Sequence, residues 1–107
     1  MSDFPVALDP NGFLVEPGDW TPELAEKLAE RDGILLTKAH WAIIIFLREF
    51  YQAHHKPPAV RTLVSHLGKI LDDPNKGTGL YLHQLFPQGP TLQASRIAGL
   101  PKPARCL

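Results

Sequence analysis

The chain has 107 residues, a hydrophobic content of 44%, and 11 Lys plus Arg against 11 Asp plus Glu, so its net charge is zero. That length and composition suit one domain, residues 1–107, with a real core. A lone cysteine, Cys106, rules out an internal disulfide framework and fits a reducing compartment. The apolar run at residues 41–47 is far too short to cross a bilayer. The first residues lack the basic-then-apolar pattern of a secretory signal, so the expectation is a soluble, cytoplasmic protein without a membrane partner.

The charge is unevenly spread. Residues 1–55 carry four cations and nine carboxylates, a net of −5, and residues 56–107 carry seven cations and two carboxylates, a net of +5. A basic half can serve an anionic partner such as nucleic acid, or the halves can neutralise each other across the fold.

In chain order, residues 4–8 and 13–15 are short apolar segments around Asp9-Pro10-Asn11-Gly12, a turn signal that predicts an N-terminal β-hairpin. Thr21-Pro22-Glu23 starts a first helix, with Leu24, Ala25, Leu28 and Ala29 on its apolar face and Gly33 at its end. Thr37 caps a second helix over residues 38–55. Trp41, Ile44, Ile45, Leu47 and Phe50 make it apolar over much of its girth, as expected of a central core helix. Pro57-Pro58 breaks it. A third helix spans residues 59–71, with Val60, Leu63, Val64, Leu67 and Ile70 as its stripe. A polar loop follows at residues 72–79. Short helices at residues 80–86 and 90–98 are stopped by Pro87 and Gly99. The predicted fold class is therefore α+β: a small N-terminal β-hairpin or meander on an array of about five helices, ending in a mobile arm over residues 99–107.

The arm carries the chemistry. Gly99-Leu100-Pro101-Lys102-Pro103-Ala104-Arg105-Cys106-Leu107 contains two prolines, which disfavour helix. Lys102 and Arg105 place positive charge near the sulfur and favour the nucleophilic thiolate. An accidental exposed cysteine is the plainer account; a reactive thiol on a swinging segment is the sharper one.

Other motifs are weak. Five histidines, His40, His54, His55, His66 and His83, show no metal-ligand spacing, so no metal is expected. There is no phosphate-binding glycine loop and no nucleophile elbow. The second helix, the Pro57-Pro58 break and the third helix resemble a helix-turn-helix, with Arg61, Thr62, Ser65 and Lys69 able to face DNA. A core helix with a polar outer face explains the same residues.

Asn11-Gly12-Phe13-Leu14 with Trp20, His40-Trp41, Phe46-Leu47-Arg48-Glu49-Phe50-Tyr51, Pro58-Ala59-Val60-Arg61, Leu85-Phe86-Pro87-Gln88-Gly89-Pro90 and Gln93-Ala94 form a longer pattern. With Ile97-Ala98-Gly99-Leu100-Pro101-Lys102-Pro103 and the penultimate Cys106, the chain resembles the DsrC/TusE sulfur-relay family over nearly its whole length. The resemblance implies a small β-meander packed on helices and a flexible C-terminal arm. It also implies a persulfide-carrying sulfurtransferase with Cys106 as the nucleophile. Its implied partners are a TusBCD-type donor complex and a tRNA 2-thiouridylase, and it needs no cofactor. Lys102, Arg105 and Arg61 are the candidate supporting cations. DsrC proper carries a second cysteine eleven residues before the last one, where this chain has Ser95, so the pattern resembles the single-cysteine, TusE-like branch. The alternatives are a DsrC-like partner or regulator of a dissimilatory sulfite reductase system and a helix-turn-helix nucleic-acid-binding protein.

Overall fold

The fold is built from helices whose ends are written in local side-chain chemistry. The computed structural model describes residues 6–10 and 12–101. In α1, Pro22–Arg31, the Thr21 hydroxyl accepts the Leu24 N–H at 3.1 Å, and Pro22 occupies the first turn, where its missing N–H costs nothing. Its buried face is Leu24, Ala25, Leu28 and Ala29. The helix stops at Gly33, whose φ of 78° lets the Ile34 N–H return to the Ala29 carbonyl and the Gly33 N–H to that of Glu30.

α2, Lys38–His54, opens with a reciprocal cap. The Thr37 hydroxyl accepts the His40 N–H at 3.5 Å, and His40 Nδ1 accepts the Thr37 N–H at 3.1 Å. That leaves the Nε2–H of His40 to donate to the Leu85 carbonyl, 2.9 Å away. The ring is buried and meets Phe86 edge-on at 5.1 Å. His40 is thus an interfacial residue that ties the start of α2 to the end of α4, Gly79–Leu85.

α3, Val60–Ile70, buries Leu63 and Leu67. A 3₁₀ turn, Pro74–Lys76, folds back across it at Gly68, where an added Cβ would lie 3.2 Å from the Pro74 backbone. α4 starts on the Thr78 hydroxyl, which accepts the Tyr81 N–H at 3.1 Å. α5, Pro90–Ile97, packs against α1, α2 and α4. From Thr91 to Leu100 only Leu92 and Arg96 are not fully buried.

The expected β component did not form, so the α+β class with an N-terminal hairpin or meander is corrected to all-helical among the described residues. The turn itself is present: the Asp9 N–H donates to the Phe13 carbonyl at 2.8 Å, and Gly12 has a φ of 86°. Pairing stops at one antiparallel bridge, Leu8 with Leu14. The reason is length: the chain bends at residues 15–16 and Pro17, which has no N–H to donate, opens a 3₁₀ turn, so no ladder can extend past the bridge. The chain turns over the helices instead, and a second 3₁₀ turn, Pro17–Asp19, replaces the rest of the meander.

Candidate functional site

The chain runs on from the end of α5 toward Cys106, and its exit through residues 98–100 is held from several sides. The last carbonyls of a helix lack intrahelical donors. Here each finds one. The Leu100 N–H donates to the Ser95 carbonyl at 2.9 Å and the Gly99 N–H to the Arg96 carbonyl at 3.2 Å, the paired bonds of a glycine-terminated helix. Trp20 Nε1 donates to the Ile97 carbonyl at 2.9 Å. Arg48 Nη1 donates to the Ala98 carbonyl at 2.8 Å. The Arg48 guanidinium also lies 3.9 Å from the centre of the Trp20 ring, a cation–π contact. Burial pushes the Arg48 guanidinium below its ordinary pKa, yet it keeps its charge, as arginine does in proteins. A cation at a helix C-terminus complements the dipole there.

Gly99 is fixed by this arrangement. Its φ of 76° disfavours side chains, and an added Cβ would lie 2.3 Å from Trp20 Cδ1. Leu100 then tucks in, 4% exposed. Gly99 and Leu100, the first two residues of the arm expected over 99–107, therefore belong to the packed body.

A polar network locks the other side of α5. The Asp32 carboxylate accepts Arg96 Nη2 at 3.1 Å and Gln93 Nε2 at 3.2 Å. The fully buried Gln93 accepts the Gln88 N–H at 3.0 Å, and Arg96 also donates to the Gln88 side chain. Buried polar groups need such partners. The exception is Ser95, fully buried with its hydroxyl unpaired.

Of the sequence-predicted site residues, Cys106, Lys102 and Arg105 lie outside the described residues. Arg61 sits exposed in the first turn of α3, on a different element from the exit. The helix-turn-helix candidates are partly spent: the Ser65 hydroxyl donates to the Thr62 carbonyl at 2.8 Å. The residues that sequence reasoning passed over are Trp20 and Arg48, which were read only as parts of a family pattern. They meet α5 across 77 and 50 positions of chain, a distance no local pattern reports. Beside them a groove lined by Trp20, Pro22, Trp41, Ile45, Arg48 and Glu49 opens to solvent, with Ile45 54% exposed.

Comparison with known proteins matches this architecture closely. The family model described as "DsrC like protein" aligns with residues 1–107. "Sulfurtransferase TusE" of Pectobacterium atrosepticum is 44% identical over 102 residues, 95% of this chain and 93% of that relative. The protein of the same name from Yersinia pseudotuberculosis is 46% identical over 99 residues, covering 92% of this chain and 91% of its own length. Among solved structures, the NMR structure of Allochromatium vinosum DsrC superposes with a TM-score of 0.84 at 47% identity, over 95% of this chain and 90% of that one. The oxidized gamma-subunit of dissimilatory sulfite reductase (DsrC) from Archaeoglobus fulgidus gives 0.84 at 41%, over 95% and 92%. With a whole-length family match, close relatives and a shared fold, this chain belongs to the DsrC-like family.

Proposed function

We propose that this chain is a sulfur-relay carrier of the TusE kind, a sulfurtransferase that works stoichiometrically, with Cys106 as the loaded residue. One observation carries the choice of branch: Cys106 is the single cysteine of the sequence, and the residue eleven positions before it, where the resemblance to DsrC implies a second thiol, is Ser95. The curated relatives at 42–46% identity carry the name sulfurtransferase TusE, and this supports the same reading.

Loading is a displacement at sulfur. The Cys106 thiolate attacks the outer sulfur of a donor persulfide, the donor S–S bond breaks, and the donor cysteine leaves as thiolate. Cys106 now bears the persulfide. Delivery repeats the step with an acceptor thiolate, and Cys106 returns to its resting form. No electrons are gained or lost overall. A cysteine of ordinary pKa, about 8.5, is mostly thiol at neutral pH, so the charges of Lys102 and Arg105 are assigned to favouring the thiolate. Arg61 is assigned to docking an anionic partner surface. The donor in this reading is a TusBCD-type complex and the acceptor a tRNA 2-thiouridylase, in the cytoplasm.

The body's contribution is positional. Trp20, Arg48 and Gly99 fix the point and direction from which the Cys106 segment departs, so that thiol and partner meet with less orientational freedom to lose. The test is intact mass after incubation with a persulfide-generating cysteine desulfurase and the donor complex. One added sulfur on the wild-type chain, and none on Cys106→Ser, is the expected result. An unloaded wild-type chain under conditions that load the donor would refute the carrier reading.

A DsrC-like role beside a dissimilatory sulfite reductase is the second reading, favoured by the 47% identity to A. vinosum DsrC. With one thiol the chain cannot form an intramolecular disulfide, so this role would have to run on Cys106 alone. Co-purification with a siroheme sulfite reductase, and not with a sulfur-loading complex, would move the assignment there.

A further inference from the structure

A groove of about 470 Å³ lies against the exit of α5. Trp41, Ile45, Arg48, Glu49 and Gln52 line it from α2, at the spacing of one helix face. Trp20 and Pro22 line it from the start of α1. Two of these walls also form the exit: Trp20 bonds the Ile97 carbonyl at 2.9 Å and Arg48 the Ala98 carbonyl at 2.8 Å. The core accounts for the inner edges of Trp20 and Trp41, which pack on the buried cluster. It does not account for Ile45, 54% exposed in a groove that also holds two indoles.

The groove is apolar with one uncommitted charge. Arg48 is spent on the Ala98 carbonyl and the face of Trp20. Glu49 is exposed and makes no ion pair among the described residues. Lys38, one turn before Trp41, lines a different hollow with Lys76 and Tyr81. Lys56 lies beyond the end of α2 and does not line the groove. Asp19 and Glu23, each one residue along the chain from a groove residue, are exposed as well. The rim is therefore acidic, and the group that fits here is an apolar side chain with a cation beside it.

We propose that this groove is the docking site of the protein that loads Cys106, which enters it with an apolar side chain flanked by Lys or Arg. The proposal rests on the carrier reading and adds where the donor holds on. The groove's volume is in the range that encloses a ligand or an anchoring side chain, and exposed indoles beside an aliphatic residue are the make-up of an interface core. Position follows from the chain. Leu100 is packed at the exit and Cys106 is six residues further on, so a protein seated against Trp20 and Arg48 stands beside the root of the segment that carries the thiol. The acidic rim selects between partners: it attracts a cationic donor surface and repels an acceptor loaded with tRNA phosphates. Two copies of this chain meeting groove to groove would set Glu49 against Glu49.

The test compares loading of the full chain from two sources, the TusBCD-type donor complex charged by a cysteine desulfurase and glutathione persulfide, read as added sulfur by intact mass over time. Ile45→Lys, at an exposed position, should slow loading from the donor complex about ten-fold or more and leave loading from glutathione persulfide at the wild-type rate. Glu49→Gln should slow donor loading about two-fold, an effect that fades in high salt. It carries the test if Ile45→Lys fails to fold by circular dichroism. Donor loading at the wild-type rate in the folded variants would overturn the docking site. Equal slowing from both sources would overturn it too, by placing the effect on the thiol. Faster loading of Ile45→Lys by glutathione persulfide would put the chain's own terminal segment in the groove instead, a wild-type dimer lost in Ile45→Lys would put a second copy there, and slowed delivery with intact loading would give it to the acceptor. A wild-type chain that neither source loads would refute the carrier reading, and the docking site with it.

Discussion

The exit of α5 and the outer end of α2 and α3 solve opposite problems. At the exit, every terminal carbonyl is answered, a glycine is pinned against an indole, and a desolvated guanidinium caps the helix. At the α2–α3 end the chain spends little on itself: His55 stops the helix with a left-handed φ of 58°, Ala59 offers no side-chain cap, and His54, in a ring row with Phe50 at 4.3 Å, is exposed along with Lys56, Arg61 and His66. The first region is over-determined and sensitive to substitution. The second is held by fewer bonds of this kind. Sensitivity to mutation should therefore divide by region, with the larger stability losses at the exit.

The largest expected effect belongs to neither body region. Cys106→Ser should abolish sulfur acceptance in the mass assay while leaving the thermal unfolding curve in place; loss of fold instead would mean the terminal segment is structural. Next comes Gly99→Ala, which combines a left-handed backbone with a Cβ inside the Trp20 ring. Backbone strain alone is worth about 1–2 kcal/mol, and displacement of Trp20 adds to it, so a loss of about 3 kcal/mol or more is expected in urea unfolding. Arg48→Met keeps the stem and removes the bond to the Ala98 carbonyl, at a cost of about 1.5–3 kcal/mol. Its sulfur transfer to an acceptor should slow more than its loading by a small persulfide, because only the former depends on where the segment points. Ser95→Ala should be neutral or stabilising by up to about 1 kcal/mol, since the hydroxyl it removes has no partner. A clear destabilisation there would reveal a bond the buried hydroxyl makes after all. Smallest is His54→Ala, within about 0.5 kcal/mol in unfolding. A larger loss would show that the ring row is structural and erase the contrast between the regions.

Much of the fold was legible because its punctuation is local. Thr21, Thr37 and Thr78 cap the helices they precede, Pro22 and Pro90 open first turns, and Gly33 and Gly99 close helices in the left-handed region. The five helices consequently begin and end within about two residues of expectation. The N-terminal hairpin was misread because turn chemistry is local but strand pairing is not. Gly12 made its turn, but the chain bends at residues 15–16 and enters the 3₁₀ turn at Pro17–Asp19 before a second bridge can form. The burial of α5 carries no local mark of that kind. Thr91, Gln93 and Ser95 are polar residue types, and the side-chain partner of the buried Gln93 amide is Asp32, 61 residues earlier. At the candidate site, Cys106 is an expectation from sequence that lies outside the described residues, whereas the clamp of Trp20 and Arg48 exists only in three dimensions.

The packing of Leu100 has a consequence for traffic. With the chain held up to that residue, Cys106 lies six residues further on, a fully stretched span of at most about 22 Å. In the proposed relay, any protein that gives sulfur to Cys106 or takes it must bring its own reactive atom inside that radius. A carrier on so short a tether is expected to work as a ferry between berths, leaving one partner before it reaches the next.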